Sequence, residues 1–235
     1  TRCLTRIIRE AGVMNGMITT EDVFANKEAF VQKINAFTIQ NAVKSVTAPE
    51  IHAYGDETSP LTVVLYDFGY KRNIRRMLIE RGCRVVVVPA ETTAAEIREI
   101  APDGIMLSND PGNPEENVQV IENLKDVCRL GIPIFGICLG HQLMALAHGG
   151  RTEKLKYGHR GGNQPVLDLE LDRTFVTSQN HGYAVVADSL DKSVAVLTHV
   201  NANDRTCEGV RYLDCNARTV QFHPEASPGP RDTGY

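Results

Sequence analysis

One stretch of sequence decides the fold of this chain: IPIFGICLGHQ, residues 132–142. Its first part, Ile132–Ile137, predicts a buried β-strand, and a helix is predicted to begin near Leu139. Between them lies Gly-x-Cys-x-Gly, centred on Cys138, the cysteine form of the nucleophile elbow of hydrolases. Small flanking residues suit such a strained turn, because a neighbouring Cβ would clash. The helix would direct its N-terminal N–H groups toward the sulfur, and thiolate is the attacking species in cysteine chemistry.

The sequence on both sides of this turn alternates strands and helices. Predicted strands at the start of the series are Thr62–Tyr66, Arg84–Val88, Gly104–Leu107 and Ile132–Ile137. Repeated βα units predict a parallel sheet with right-handed crossovers. Later short strands are predicted at Val166–Leu171, Phe175–Thr177, Tyr183–Val186, Val194–Thr198, Cys207–Tyr212 and Thr219–Phe222. We therefore predict an α/β fold, with a mostly parallel sheet flanked by helices and a partly antiparallel extension.

The chain before residue 61 has a different pattern. Residues 1–46 show helical periodicity without strands, with a second helix predicted from about Asp22. Because the apolar pattern begins at Leu4 without a cap, we predict that residues 1–46 are the helical end of a truncated N-terminal domain. Residues 47–60, TAPEIHAYGDETSP, predict a linker, and residues 61–235 form the main domain.

Composition indicates an ordinary globular protein. The 235 residues are 42% hydrophobic and 23% charged, which excludes a disordered or fibrous chain. The net charge of −4 gives no basic excess, so we expect neither nucleic acid nor a membrane surface as partner. No apolar run approaches the ~18 residues of a membrane span, and no secretory signal is apparent. Six scattered cysteines without a CxxC pair or Cys/His pattern predict free thiols, a cytoplasmic location and no metal site.

A second signal follows the last predicted strand: His223-Pro224-Glu225, 85 residues after Cys138. A cysteine nucleophile needs a base that moves its proton, and that base needs a carboxylate that holds its tautomer. His223 and Glu225 can supply both from one turn. By itself the tripeptide is weak evidence, but in the order Cys…His…Glu it becomes strong.

The third signal is the loop Ser108-Asn109-Asp110-Pro111-Gly112-Asn113-Pro114, which follows another predicted parallel strand. A glycine-containing loop beside the elbow can offer a backbone N–H, which with the N–H of Leu139 would form an oxyanion hole. These are also common turn residues, so without the other signals the loop would be interpreted as a surface turn.

Together GICLGHQ and HPE resemble the class I (triad) glutamine amidotransferases. Further segments, YDFGYKRNIRRML (66–78), YGHRGGNQPV (157–166), SQNHGYAV (178–185) and FHPEASPGP (222–230), resemble the small, glutamine-hydrolysing subunits of carbamoyl-phosphate synthetases. The resemblance covers nearly the whole chain. It implies a nucleophile at Cys138, a base at His223 and an orienting carboxylate at Glu225. The glutamine-contacting positions that it implies are Gly112, Leu139, Gln142, Asn180, Gly182 and Tyr183.

The implied activity is hydrolysis of L-glutamine through a γ-glutamyl thioester. The resemblance implies that ammonia passes to a large synthetase subunit, which uses ATP and bicarbonate to make carbamoyl phosphate. No Walker A or glycine-rich ATP loop is present, so ATP chemistry is expected on that partner, with no cofactor or metal on this chain. Three alternatives remain open: a class I glutaminase of another synthase, a non-catalytic partner-binding subunit with a decayed pocket, and a γ-glutamyl peptidase.

The chain departs from the family at Asp110, where glycine is usual. Aspartate tolerates the left-handed conformation at some cost, and an added carboxylate could disfavour an anionic substrate group or the thiolate. The resemblance also implies that most of the N-terminal domain and the last helix, after residue 225, are absent. Neither the pathway (arginine or pyrimidine) nor the oligomeric state follows from the sequence.

Overall fold

The computed structural model describes residues 2–110 and 112–226. The chain divides into two compact units, Thr1–Gln40 and Asn41–Tyr235. The boundary after Gln40 differs from the one predicted after residue 46, because the short helix Ala42–Val46 belongs to the second unit.

The first unit contains two helices, α1 (Arg2–Ala11) and α2 (Lys27–Ala36). No residue of α1 is buried, and its apolar Leu4 is 56% exposed. The side-chain amide of Asn15 donates to the carbonyls of Ile34 and Phe37, at 2.9 and 2.8 Å, and so binds carbonyls at the end of α2.

The second helix begins at Lys27, later than the predicted start near Asp22. The Asp22 carboxylate accepts the backbone N–H of Phe24 at 2.9 Å. Such a local side-chain bond favours a turn over a helix, which explains the later start.

The second unit contains the sheet and the helices that cover it. Its helices are α3 (Ala42–Val46), α4 (Arg72–Glu80), α5 (Ala94–Ile100), α6 (Val118–Cys128) and α7 (Leu139–Ala147). Its strands are β1 (His52–Tyr54), β2 (Leu61–Asp67), β3 (Cys83–Pro89), β4 (Gly104–Leu107), β5 (Ile134–Ile137), β6 (Thr152–Asp168), β7 (Arg173–Val185), β8 (Ala195–Asn201), β9 (Cys207–Tyr212) and β10 (Ala217–Val220).

Within the described residues, these strands form one ten-stranded sheet in the order β1-β3-β2-β4-β5-β10-β9-β8-β6-β7. Strands β3, β2, β4, β5 and β10 are parallel neighbours, whereas β1 and the series β9-β8-β6-β7 pair antiparallel. The predicted α/β class is therefore confirmed as a mixed sheet flanked by helices, with an antiparallel part as extensive as the parallel one.

The parallel part of the sheet fixes where chemistry can occur. Strands β5 and β10 are parallel neighbours, and Ile137 is in register with Val220. Their carboxyl ends therefore open on one edge, which is where α/β sheets place their sites. Cys138 follows β5 directly and His223 follows β10 after two residues, so the topology brings both to that edge.

Two predicted segments differ from the structure. The predicted linker 47–60 contains strand β1, which pairs with β3 across Ala53 and Val86. The interval between the predicted strands Phe175–Thr177 and Tyr183–Val186 is continuous strand, because β7 runs from Arg173 to Val185 against β6. The pairing of β6 with β7 shifts register at two places, which accommodates this long hairpin. Gly158 and Gly161 of β6 have positive φ values, and such glycines in a sequence usually indicate a loop.

Among the described helices, none combines the length and apolar character that a membrane crossing requires. The predicted absence of a helix after the HPE segment concerns positions outside the described residues.

Candidate active site

Cys138 occupies the turn between β5 and α7. Its φ of 53° and ψ of −101° are unusual for a residue with a side chain and cost about 1–3 kcal/mol. The turn is held by the backbone: Cys138 N–H donates to the carbonyl of Val220 at 2.8 Å, and Gln142 N–H donates to the carbonyl of Cys138 at 3.2 Å. A buried strand and the first turn of a helix therefore fix the cysteine at the sheet edge.

The two glycines that flank Cys138 are required by space. A Cβ on Gly140 would lie 2.6 Å from the carbonyl oxygen of Leu107 in the neighbouring strand β4. A Cβ on Gly136 would lie 2.9 Å from Cγ2 of Thr219 and 3.0 Å from the backbone of Gly140. The pattern Gly-x-Cys-x-Gly is therefore a packing requirement of the turn, as the sequence predicted.

His223 lies between Cys138 and Glu225. Its Nδ1 is 2.8 Å from Oε1 of Glu225, and its side chain is close enough to that of Cys138 for the cysteine to raise the pKa of the imidazole. Because Nδ1 faces a carboxylate, it carries the proton, which leaves Nε2 for the thiol. His223 N–H donates to the carbonyl of Ser178 at 2.9 Å, so the backbone position of the imidazole is fixed as well.

Charges adjust this arrangement for proton transfer. Burial alone would lower the pKa of His223, but Cys138 and Glu225 outweigh it and raise the pKa to about 9. Burial alone would raise the pKa of Glu225, but the bond to His223 and the Lys71 ammonium hold it below its usual value. Nζ of Lys71 lies 3.0 Å from Oε1 of Glu225. The site therefore favours an imidazolium at His223 beside an ionised Glu225.

The loop after β4 lies against the start of α7. The N–H of Gly140 donates to the carbonyl of Ser108 at 3.1 Å, and the Ser108 hydroxyl accepts the N–H of Phe68 at 3.0 Å. Gly112, four residues further on, has a φ of 120°, which favours glycine. As the first residue of α7, Leu139 has an N–H that the helix itself does not use.

Asp110 is buried in the same loop, with 9% of its surface exposed. Its Oδ2 is buried without a hydrogen-bond partner in the described part of the chain. Burial and the neighbouring Asp67 raise the pKa of Asp110 to about 7. Asp67 itself accepts the N–H groups of Gly69 at 2.9 Å and Ala48 at 2.9 Å.

Residues 64–235 match the family Glutamine amidotransferase class-I. The chain belongs to the class I glutamine amidotransferase family. Its relatives include the carbamoyl phosphate synthase small chain of Fusobacterium nucleatum, 47% identical over 237 residues, and that of Bacillus cereus, 48% identical over 232 residues. These alignments cover 100% and 99% of this chain but 64% and 62% of the relatives, so the chain spans less than two thirds of their length.

Solved structures agree with the class I amidotransferase fold. A protein from Thermoplasma acidophilum, assigned to a GMP synthase, superposes with a TM-score of 0.64 at 24% identity. The match covers 74% of this chain and 90% of that one. At this identity the likeness concerns the fold alone.

Of the glutamine-contacting positions that the family implies, Gln142 and Tyr183 are joined directly. The side-chain amide of Gln142 donates to the carbonyl of Tyr183 at 2.8 Å and to Oε1 of Gln221 at 2.9 Å. Both of its N–H groups are thus used within the protein. Asn180 and Gly182 lie on β7 two residues apart and so share a face of that strand, with Asn180 exposed. Leu139 is buried at the first position of α7.

Several residues that contact this site were not predicted from sequence. Lys71 pairs with Glu225, and the side-chain amide of Asn73 donates to the Glu225 carbonyl. Both lie in YDFGYKRNIRRML, a segment that carried the resemblance but had been given no role. Gln221, whose side chain bonds Gln142, lies two residues before His223 and could have been found by that proximity.

The structure corrects one expectation about the cysteines. All six are free thiols, but Cys128 and Cys215 lie beside His148, where a Cys/His cluster was not expected. His148 is 20 residues after Cys128 and 67 residues before Cys215, so a search for closely spaced ligands does not find this cluster.

A second group consists of His159, His181 and Glu208 in the β6–β9 region. In this group the Nδ1 of His181 donates to the carbonyl of Tyr183 at 2.7 Å.

Proposed function

We propose that this chain hydrolyses L-glutamine to glutamate and ammonia through a Cys138-His223-Glu225 triad. The observation that carries the proposal is the position of His223, which lies beside Cys138 on one side and hydrogen-bonds Glu225 on the other. A buried imidazole between a thiol and a carboxylate is the arrangement that activates a cysteine nucleophile.

In the first half of the reaction, the Cys138 sulfur attacks the side-chain carboxamide carbon of glutamine. The oxygen gains negative charge, which the backbone N–H groups of Gly112 and Leu139 would stabilise. The tetrahedral intermediate collapses as His223 donates its proton to the departing nitrogen. The C–N bond breaks, ammonia leaves, and a γ-glutamyl thioester remains on Cys138.

In the second half, water attacks the thioester carbon while His223 accepts its proton. The C–S bond breaks, glutamate leaves, and the thiolate and imidazolium pair is restored. Glu225 holds Nδ1 throughout, so that Nε2 always faces the reacting atoms. The balance is glutamine plus water to glutamate plus ammonia.

Glutamine would be held by groups that suit an amino acid. Asn180, Gly182 and Tyr183 of β7 would face its α-amino and α-carboxylate groups. Both amide N–H groups of Gln142 are used by Tyr183 and Gln221, so contact with substrate would go through its Oε1. The hydrogen bond from the Gln142 amide to the Tyr183 carbonyl also fixes β7 against helix α7.

The names of the relatives extend the proposal to a partner. Carbamoyl phosphate synthase small chains match the whole length of this chain at 46–48% identity. We therefore propose that the ammonia passes to a large subunit, which uses ATP and bicarbonate to make carbamoyl phosphate. The free thiols agree with a cytoplasmic location.

The test pairs the full-length His223→Asn variant with a competent large subunit. Asparagine cannot carry a proton at neutral pH, so carbamoyl phosphate should no longer form from glutamine but should form from added ammonium salt. Loss of both activities would mean that His223 supports the fold or the interface. An unchanged glutamine-dependent rate would mean that another residue is the base.

The same assay separates the alternatives. A glutaminase of another synthase would release ammonia without making carbamoyl phosphate with this partner. A non-catalytic subunit would release none, and a γ-glutamyl peptidase would release glutamate from γ-glutamyl peptides without any partner chain.

A further inference from the structure

A second group of reactive side chains lies at the sheet edge opposite Cys138. Cys128 ends α6, His148 follows α7, and Cys215 precedes β10. Their three ligand atoms all lie within 4.8 Å of one another. We propose that these residues form a Zn²⁺ site, with Asp214 as the fourth ligand.

The orientation of His148 supports this assignment. Its Nδ1 lies 2.8 Å from the backbone carbonyl of Met144. A carbonyl can only accept, so Nδ1 carries the proton and Nε2 keeps its lone pair. Nε2 faces Sγ of Cys215 at 3.8 Å. A histidine that donates from one nitrogen to a backbone carbonyl and offers the other is the usual form of a zinc ligand.

The spacing of the donors fits a tetrahedral ion. Zinc bonds of about 2.3 Å to sulfur and about 2.0 Å to nitrogen place tetrahedral ligand atoms about 3.5–3.8 Å apart. The observed 3.8 Å between Cys215 and His148 lies at the upper end of this range. The three donor atoms lie within 4.8 Å of one another, so they would move together by about 1 Å or less around an ion, and the Asp214 carboxylate would turn toward them.

Asp214 supplies the fourth position. Its Oδ1 lies 3.4 Å from Nε2 of His148. Its side chain is 45% exposed and lines a cavity of about 570 Å³ together with Cys128 and Cys215. An ion can therefore reach Cys128, Cys215 and Asp214 from solvent. Together with the imidazole of His148 these side chains make a donor set that zinc accepts.

The surroundings distinguish this site from a simple thiol pair. The His148 ring stacks on Tyr212 with the ring centroids 4.2 Å apart, which fixes its plane. A disulfide would use the two sulfurs alone and would leave His148 and Asp214 without a role. Zinc uses all four groups.

The site would stabilise the nucleophile helix from its far end. Helix α7 begins directly after Cys138 and ends at Ala147, so its length separates the zinc ligand His148 from the nucleophile by about 15 Å. Zinc would tie this end of α7 to α6 and to the segment before β10. It would act on the fold and take no part in the chemistry at Cys138.

The test uses the full-length protein, reduced and stripped of metal, and titrated with Co²⁺ and then Zn²⁺. We expect one equivalent of Co²⁺ to bind with thiolate-to-metal charge-transfer absorption, and Zn²⁺ to displace it. Cys128→Ser, Cys215→Ser and His148→Gln should each weaken binding by at least about tenfold. Cys3→Ser, which removes a thiol outside the cluster, should leave it unchanged.

Folding of each variant is checked by circular dichroism, and thermal unfolding gives a second readout. Zn²⁺ should raise the melting temperature of the parent protein but not that of Cys215→Ser, because only the native site binds it. The proposal is overturned if the reduced protein binds no metal, or if binding persists in Cys128→Ser and Cys215→Ser. A Cys128–Cys215 disulfide in a protein that takes up no zinc after reduction would assign the pair to redox chemistry instead.

Discussion

Replacement of Asp110 by asparagine should make the protein more stable at neutral pH and leave its stability unchanged in acid. The carboxyl of Asp110 is buried, its Oδ2 has no hydrogen-bond partner among the described residues, and it lies near Asp67. An ionised Asp110 is therefore unfavourable in the folded state, whereas the neutral amide of asparagine resembles the protonated acid.

The size and sign follow from the pKa. Folding raises the pKa of Asp110 from its ordinary value of 3.8 to about 7. The folded state therefore holds the proton where the unfolded state releases it. The stability that the protonated Asp110 contributes is therefore fully present below about pH 4 and is lost as the pH rises through 7. The free energy of unfolding lost in this way is about 4 kcal/mol at pH 8 if the loop stays closed, and less if the loop opens to water.

The assay is urea unfolding of the full-length protein from pH 4 to pH 8, with the parent chain, Asp110→Asn and a control. The control is Asp188→Asn, which alters a carboxylate outside the loop. The free-energy gap between Asp110→Asn and the parent should grow steadily with pH, while Asp188→Asn should run parallel to the parent. Parallel pH profiles for Asp110→Asn would refute the account of Asp110.

Three further predictions concern the loop, the elbow and the triad. Asp110→Gly should raise kcat/KM for glutamine, because it restores the family glycine; an unchanged kcat/KM across a pH series would show that the aspartate has no functional effect. Gly140→Ala should cost about 1–3 kcal/mol in urea unfolding, because its Cβ would meet the Leu107 carbonyl, whereas Gly104→Ala, with 3.9 Å of clearance, should be nearly neutral. Lys71→Met should lower kcat/KM by less than about tenfold, because a half-exposed ion pair contributes about 1 kcal/mol or less. A loss beyond a hundredfold would make Lys71 part of the chemistry.

The βα part of the fold could be predicted because its sequence signals are local. The bounds of β4 coincide with the predicted strand Gly104–Leu107, and α7 begins at the predicted Leu139. Buried parallel strands are short apolar runs, and their helices end at glycine or polar residues, so neighbouring residues alone decide them.

The antiparallel part could not be predicted to the same degree. In the hairpin of β6 and β7, glycines and polar residues such as those around Gly158 and Gly161 indicate turns. The partner strand satisfies their backbone groups, and this pairing is set by tertiary structure. Strand β1 is three residues long and depends on the edge of β3 in the same way.

In the candidate site, too, residues within local motifs could be predicted, whereas contacts between distant segments could not. Cys138, His223 and Glu225 lie in compact motifs, and the sheet order brings the motifs together. The Lys71–Glu225 ion pair joins residues far apart in sequence, so no local pattern predicts it. The Cys128, His148 and Cys215 cluster was missed for the same reason.

The central claim is that Cys138 attacks glutamine and carries its γ-glutamyl group. The most direct measurement is acid quench of the full-length protein during turnover, followed by peptide mass spectrometry. We predict a γ-glutamyl adduct on the peptide that contains Cys138, and neither adduct nor ammonia release from Cys138→Ser, whose hydroxyl is a far weaker nucleophile. An adduct on another residue, or glutamine hydrolysis by Cys138→Ser at the parent rate, would contradict the claim.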